Sequence, residues 1–147
     1  MRIRFSDREM KDLLVAWLAL GLAFAIFINY DMVQGLLAGQ APNPIAVAGA
    51  LAVSLLTAGI GFLLHELAHK VVAVRFGQIA EFRADYNMLF LAVVSALAGF
   101  LFAAPGAVHH RGRISKKQNG LIALAGPVTN VGLGLLFAIP FVIAWFG

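Results

Sequence analysis

From Pro44 to Arg75 the chain runs almost without interruption through Ala, Val, Leu, Ile and Gly, and no proline follows Pro44. Before Lys70, its only ionisable groups are His65, Glu66 and His69, packed into five residues as His-Glu-Leu-Ala-His. Such a run, at about 1.5 Å per helical residue, is long enough to cross a bilayer core of about 30 Å. Composition says which solvent it meets. The 147 residues are 61% hydrophobic and 12% charged, with a mean hydropathy of +0.89. A soluble domain is typically about 45–50% apolar and about 25% charged. The chain therefore reads as an all-α polytopic membrane protein in a lipid bilayer. Ionisable groups at membrane depth are costly, which singles out residues 65–69 as a functional centre.

Residues 1–147 are expected to form one membrane domain. Met1 to Asp12 carries mixed charge, with Arg2, Arg4, Arg8 and Lys11 against Asp7, Glu9 and Asp12. A first span follows at about 13–30. Its length and the acidic residues before it favour an uncleaved signal anchor over a signal peptide. Gly35, Gly39, Pro42 and Pro44 mark a loop, and Pro44 suits the first turn of a second span at about 45–74. Small residues at Ala46, Ala50, Ser54, Ala58 and Gly61 are expected to let a neighbouring helix approach closely. Lys70 and Arg75 are expected to mark where this helix leaves the bilayer. The polar stretch 77–87 suits a strand or small hairpin at the interface. A short apolar segment at about 88–104 is broken by Gly99, and a last span is expected at about 121–146, interrupted by Pro127 and Pro140.

Charge sets the expected orientation. The basic amino-terminal segment and the Lys- and Arg-free loop 31–44 place the amino terminus in the cytosol of a multi-pass cell-membrane protein. A full crossing by residues 88–104 would send the most basic loop outside (Arg111, Arg113, Lys116 and Lys117 after His109 and His110). A re-entrant segment that enters and leaves on the cytosolic side removes that conflict, and non-helical backbone at depth is tolerated inside protein. We therefore expect three spans plus this re-entrant segment rather than four spans. The net charge of +4 is assigned to orientation and not to nucleic acid. With no cysteine, thiol chemistry and iron–sulfur ligation are excluded.

On a helix, residues i and i+4 share a face, so His65 and His69 can grip one ion through neutral imidazole nitrogens, and zinc suits that geometry. Glu66 then projects beside the metal, where it can take a proton from water and pass it to a leaving amine. The plainer alternative pairs Glu66 with Lys70 one turn on and leaves the histidines bonded to carbonyls. Ligands one turn apart on one face cannot take both axial positions of a haem.

Five pieces extend the pattern: H-E-L-A-H-K at 65–70, R-F-G at 75–77, A-E-F-R at 80–83, F-A-A-P-G-A-V at 102–108 and A-G-P-V-T-N at 125–130. In their order and spacing the chain resembles the site-2 protease family of intramembrane zinc metalloproteases, most of all its small archaeal members. The resemblance implies zinc-dependent cleavage of transmembrane peptides, with His65 and His69 as ligands and Glu66 as catalytic base. It makes Asn130 a polar group facing the site, for substrate or an oxyanion, or alternatively a helix–helix hydrogen bond. Family members continue into a span whose Asp is the third ligand, and no such motif lies within residues 1–147. The substitutes to consider are His109, His110 and Asp85, or a second chain or oligomeric copy completing the site. The rival expectation is a protease-like membrane protein without catalysis that holds transmembrane segments or a partner subunit.

Overall fold

The computed structural model describes residues 2–147. Among the described residues, three helices are long and apolar enough to cross a membrane: Asp7–Ile28, Pro44–Arg75 and Lys116–Phe146. The first, α1 (Asp7–Ile28), begins six residues earlier than the apolar run, because the Ser6 side chain caps it by accepting the Glu9 amide at 3.1 Å. A short α2 (Tyr30–Leu37) leads to a second start signal, where Asn43 accepts the amides of Ile45 and Ala46 and Pro44 occupies the first turn.

The long second helix has three parts: α3 (Pro44–Ser54), a π-helical turn over Leu55–Gly59, and α4 (Ile60–Arg75). Trp17 of α1 donates its indole N–H to the Leu55 carbonyl at 3.0 Å, inside the π turn. This turn changes which small residues face α1. Ser54 and Gly59 are buried, and a Cβ on Gly59 would stand 2.6 Å from Trp17 Nε1. Gly61 has open space where a Cβ would go. The expected close-packing row of Ala46, Ala50, Ser54, Ala58 and Gly61 is thus broken, because one wide turn displaces the row that an uninterrupted α-helix would present.

Between α4 and the last helix lies a closed loop. Strand β1 (Ile79–Ala84) pairs antiparallel with β2 (Gly106–Arg111), with Ala84 opposite Gly106 and Ile79 opposite Arg111. The intervening α5 (Tyr86–Leu97) is capped by Asp85, and the chain reverses at Gly99, whose φ of 94° is a left-handed value. Twelve residues of helix span about 18 Å, short of a bilayer core of about 30 Å. The segment leaves and rejoins the same two-stranded sheet. The last helix, α6 (Lys116–Phe146), opens with a capping box between Ser115 and Gln118 and contains Pro127 and Pro140.

The sheet is bound to α1 by two buried carboxylates. Glu9 accepts the Phe82 amide at 2.7 Å. Asp12 accepts the Ala84 amide at 3.0 Å and the Tyr86 hydroxyl at 2.6 Å. These carboxylates satisfy an edge of β1 that would otherwise be left as unpaired donors. Around them Ala16, Leu20, Phe82 and Leu89 form one buried apolar cluster.

Candidate metal centre

His65 and His69 lie on one face of α4, and that face meets α6. Their Nε2 atoms are 3.1 Å apart, with the rings nearly perpendicular. Each ring is held from behind by α6: His69 Nδ1 is 2.7 Å from the Ile122 carbonyl, and His65 Nδ1 is 2.9 Å from the Asn130 side-chain amide. Gly126 lies between these two contacts. A Cβ there would stand 2.5 Å from His65 Nε2 and closer still to His69 Nε2. The glycine is what lets the two helices meet at the imidazole edges.

These contacts fix protons. A carbonyl only accepts, so His69 carries its proton on Nδ1, and its Nε2 presents a lone pair. With Asn130 donating to His65 Nδ1, His65 Nε2 donates in turn to His69 Nε2, giving a one-directional chain from Asn130 to Ile122. Turning the Asn130 amide over makes Oδ1 the acceptor of His65 Nδ1–H and frees both Nε2 lone pairs. Amide orientation follows from the hydrogen-bond network, so either arrangement suits the same heavy-atom positions.

The donor set fits zinc in kind. Two imidazole nitrogens bound at about 2.05 Å in a tetrahedron lie roughly 3.3 Å apart, close to the separation here. Glu66 is buried beside the pair, and its Oε2 has no hydrogen-bond partner. It stands at the junction of three cavities. One, of about 290 Å³, is shared with His65, His69, His110 and Asn119. A second, of about 850 Å³, is largely apolar and includes His65, Asn130, Leu133 and Phe137. The third, of about 370 Å³, lies towards α1 and includes Trp17, Leu67 and Lys70.

The remaining candidates fall in different places. Asn130 reaches His65, as a hydrogen bond between helices. His110 lines the cavity beside the pair, with Nδ1 3.3 Å from the Gln78 side-chain oxygen. His109, its neighbour on β2, does not line that cavity; with Glu81, Arg83 and His110 it lines a separate polar recess. Asp85 is occupied as the cap of α5, accepting the Met88 amide at 3.1 Å. Among the described residues, no group of three His, Cys, Asp or Glu is arranged to hold a metal ion.

Sequence reasoning missed four participants. Gly126 and Ile122 act through backbone position, which carries no side-chain signal; only the G-P-x-x-N string hinted at the first. Glu9 and Lys70 form a buried ion pair. Lys70 therefore does not simply mark the membrane exit, and it is not paired with Glu66.

The chain is 38% identical, over 92% of its length, to a Methanocaldococcus jannaschii protein that carries the name "Putative zinc metalloprotease MJ0611". The match covers 63% of that protein, so the chain spans less than two thirds of its relative's length. No family model and no solved structure matches the chain.

Proposed function

We propose that this chain carries the catalytic core of a zinc-dependent intramembrane endopeptidase of the site-2 type. The observation that carries the reading is the convergence of His65 Nε2 and His69 Nε2 beside a buried Glu66 carboxylate whose Oε2 has no hydrogen-bond partner. The similarity to a protein named as a zinc metalloprotease supports the same chemistry. His65 and His69 hold the metal through Nε2, oriented by Asn130 and Ile122. When bound, zinc supplies a Lewis acid and brings the pKa of a coordinated water towards about 7. Glu66 accepts a proton from the attacking water and returns it to the leaving amine. The third protein ligand that a catalytic zinc needs comes from a further segment or a second chain. The large apolar cavity beside His65 and Asn130 suits an unwound transmembrane peptide, and the amino terminus faces the cytosol.

The test uses protein reconstituted in vesicles with zinc and a single-span substrate. Cleavage that disappears in Glu66→Gln supports the reading, and an intact substrate with zinc-loaded wild type overturns it. Zinc content decides the site separately: equal metal in wild type and His65→Ala removes the pair as ligands. Orientation is read from a Lys116→Cys variant, which an impermeant thiol reagent should reach only from the cytosolic side.

A second reading is a non-catalytic protein that holds transmembrane segments or a partner subunit. The absence of a three-ligand cluster among the described residues favours it. Stable capture of a single-span peptide without turnover, equal in wild type and Glu66→Gln, would select it.

A further inference from the structure

Glu66 and Lys70 are four residues apart on α4, with the acid on the amino-terminal side, which is the spacing and order in which a helix forms ion pairs most readily. They do not pair. Lys70 Nζ instead bonds Glu9 Oε1, donates to the Arg4 carbonyl at 2.5 Å and lies 4.2 Å from the centre of the Phe5 ring. Glu66 Oε2 is left without a partner. Glu9, Glu66 and Lys70 all line the same cavity of about 370 Å³, and residues four apart on a helix are neighbours, so the local pairing is the natural competitor of the observed one.

From this geometry we propose that Glu9 is a positioning residue that keeps Lys70 off Glu66. Both oxygens of Glu9 are committed, one to Lys70 and the other to the Phe82 amide of β1. Its carboxylate therefore cannot follow Lys70 across the cavity. Glu9 lies in the first turn of α1, placed there by the Ser6 cap. A Glu66 bound to an ammonium group would have its lone pairs occupied and would be a poor acceptor for a substrate water's proton. The buried pair thus serves the site by removing a local competitor. The inference rests on the reading of Glu66 as the catalytic base, but the pairing itself can be measured without catalysis.

The experiment uses a hydrophobic carbodiimide on the full chain in detergent or vesicles, because the reagent joins a carboxylate to an amine already in contact. Mass spectrometry of the peptides reports the partner of Lys70. Wild type is expected to give the Lys70–Glu9 amide, and Glu9→Gln the Lys70–Glu66 amide. A Lys70–Glu66 amide in wild type overturns the proposal, as does its absence from a folded Glu9→Gln protein. Should Glu9→Gln fail to fold, Glu9→Met takes its place, with the same two outcomes. With zinc and substrate, Glu9→Gln should lose about a hundredfold in turnover, the scale of one general base, and Glu9→Gln/Lys70→Met should recover to within about tenfold of wild type. A purely structural role for Glu9 would leave the double variant no better than the single one. If the cross-links shift as expected but no protein cleaves substrate, the positioning stands and the protease reading falls.

Discussion

The Nδ1 atom of His69 lies 2.7 Å from the main-chain carbonyl of Ile122, so a backbone atom of α6 dictates which nitrogen of a ring on α4 is free to bind. One turn further along α6, Gly126 gives both rings the room to turn their Nε2 atoms towards each other. A Gly126→Ala substitution places a methyl group where those atoms meet. It should weaken zinc binding by about 100-fold, the upper end of effects on ligand orientation, and leave the helices folded. Zinc titration and circular dichroism would check the two halves of this expectation.

Asn130 gives a finer test. Metal binding requires its amide to accept from His65 Nδ1, whereas an amide can equally donate there. Asn130→Asp supplies an obligate acceptor and should tighten zinc binding, while Asn130→Leu supplies none and should weaken it, each by about tenfold. Opposite signs in a zinc titration are the required outcome. Equal losses would mean that His65 is not oriented from this position.

The clamp between α1 and the sheet should dominate the stability of the loop that holds α5. Asp12→Ala takes the acceptor from the half-buried Ala84 amide, at a cost of about 1–3 kcal/mol, while the exposed Tyr86 hydroxyl turns to water. Tyr86→Phe removes one bond of an exposed hydroxyl while Asp12 keeps the Ala84 amide, so its melting temperature should stay closer to that of wild type. Thermal unfolding in detergent would rank the two variants.

At the π turn, Trp17→Phe retains most of the ring but loses the bond to the Leu55 carbonyl. The expected cost is about 1 kcal/mol, measured the same way.

Glu81 gives the pH dependence. The Ser6 hydroxyl and then Arg83 hold its carboxyl below the ordinary value of 4.5. A lowered native pKa stabilises the fold fully above the unfolded value and loses that contribution as pH falls through the native one. Ser6→Ala removes the larger of these two influences together with the helix cap. The gap in melting temperature between wild type and Ser6→Ala should therefore be wider at pH 7 than at pH 3.

Much of this architecture was legible in the sequence, for reasons that are local. The three apolar helices follow from run length. The shared face of His65 and His69 follows from helical spacing, and the shortness of α5 from the break at Gly99. The carboxylates of Glu9 and Asp12 were not legible, because in sequence they belong to a mixed-charge segment and only folding brings the Phe82 and Ala84 amides to them. Neither was Gly126, whose role exists only because another helix stands opposite. The π turn left no signal in the run of residues 44–75, since its cause is packing against Trp17 on α1.

That π turn also sets the phase of the helix that carries His65 and His69. Each residue of an α-helix advances the face by about 100°. Were Leu55–Gly59 to tighten into α geometry with its length kept, everything after it would be dialled round by about that angle, carrying His65 and His69 away from α6. Were one residue deleted there, the helix could regularise with both halves still facing their partners, at the loss of the arrangement that receives Trp17. The stretch tolerates a change in length better than a change in winding.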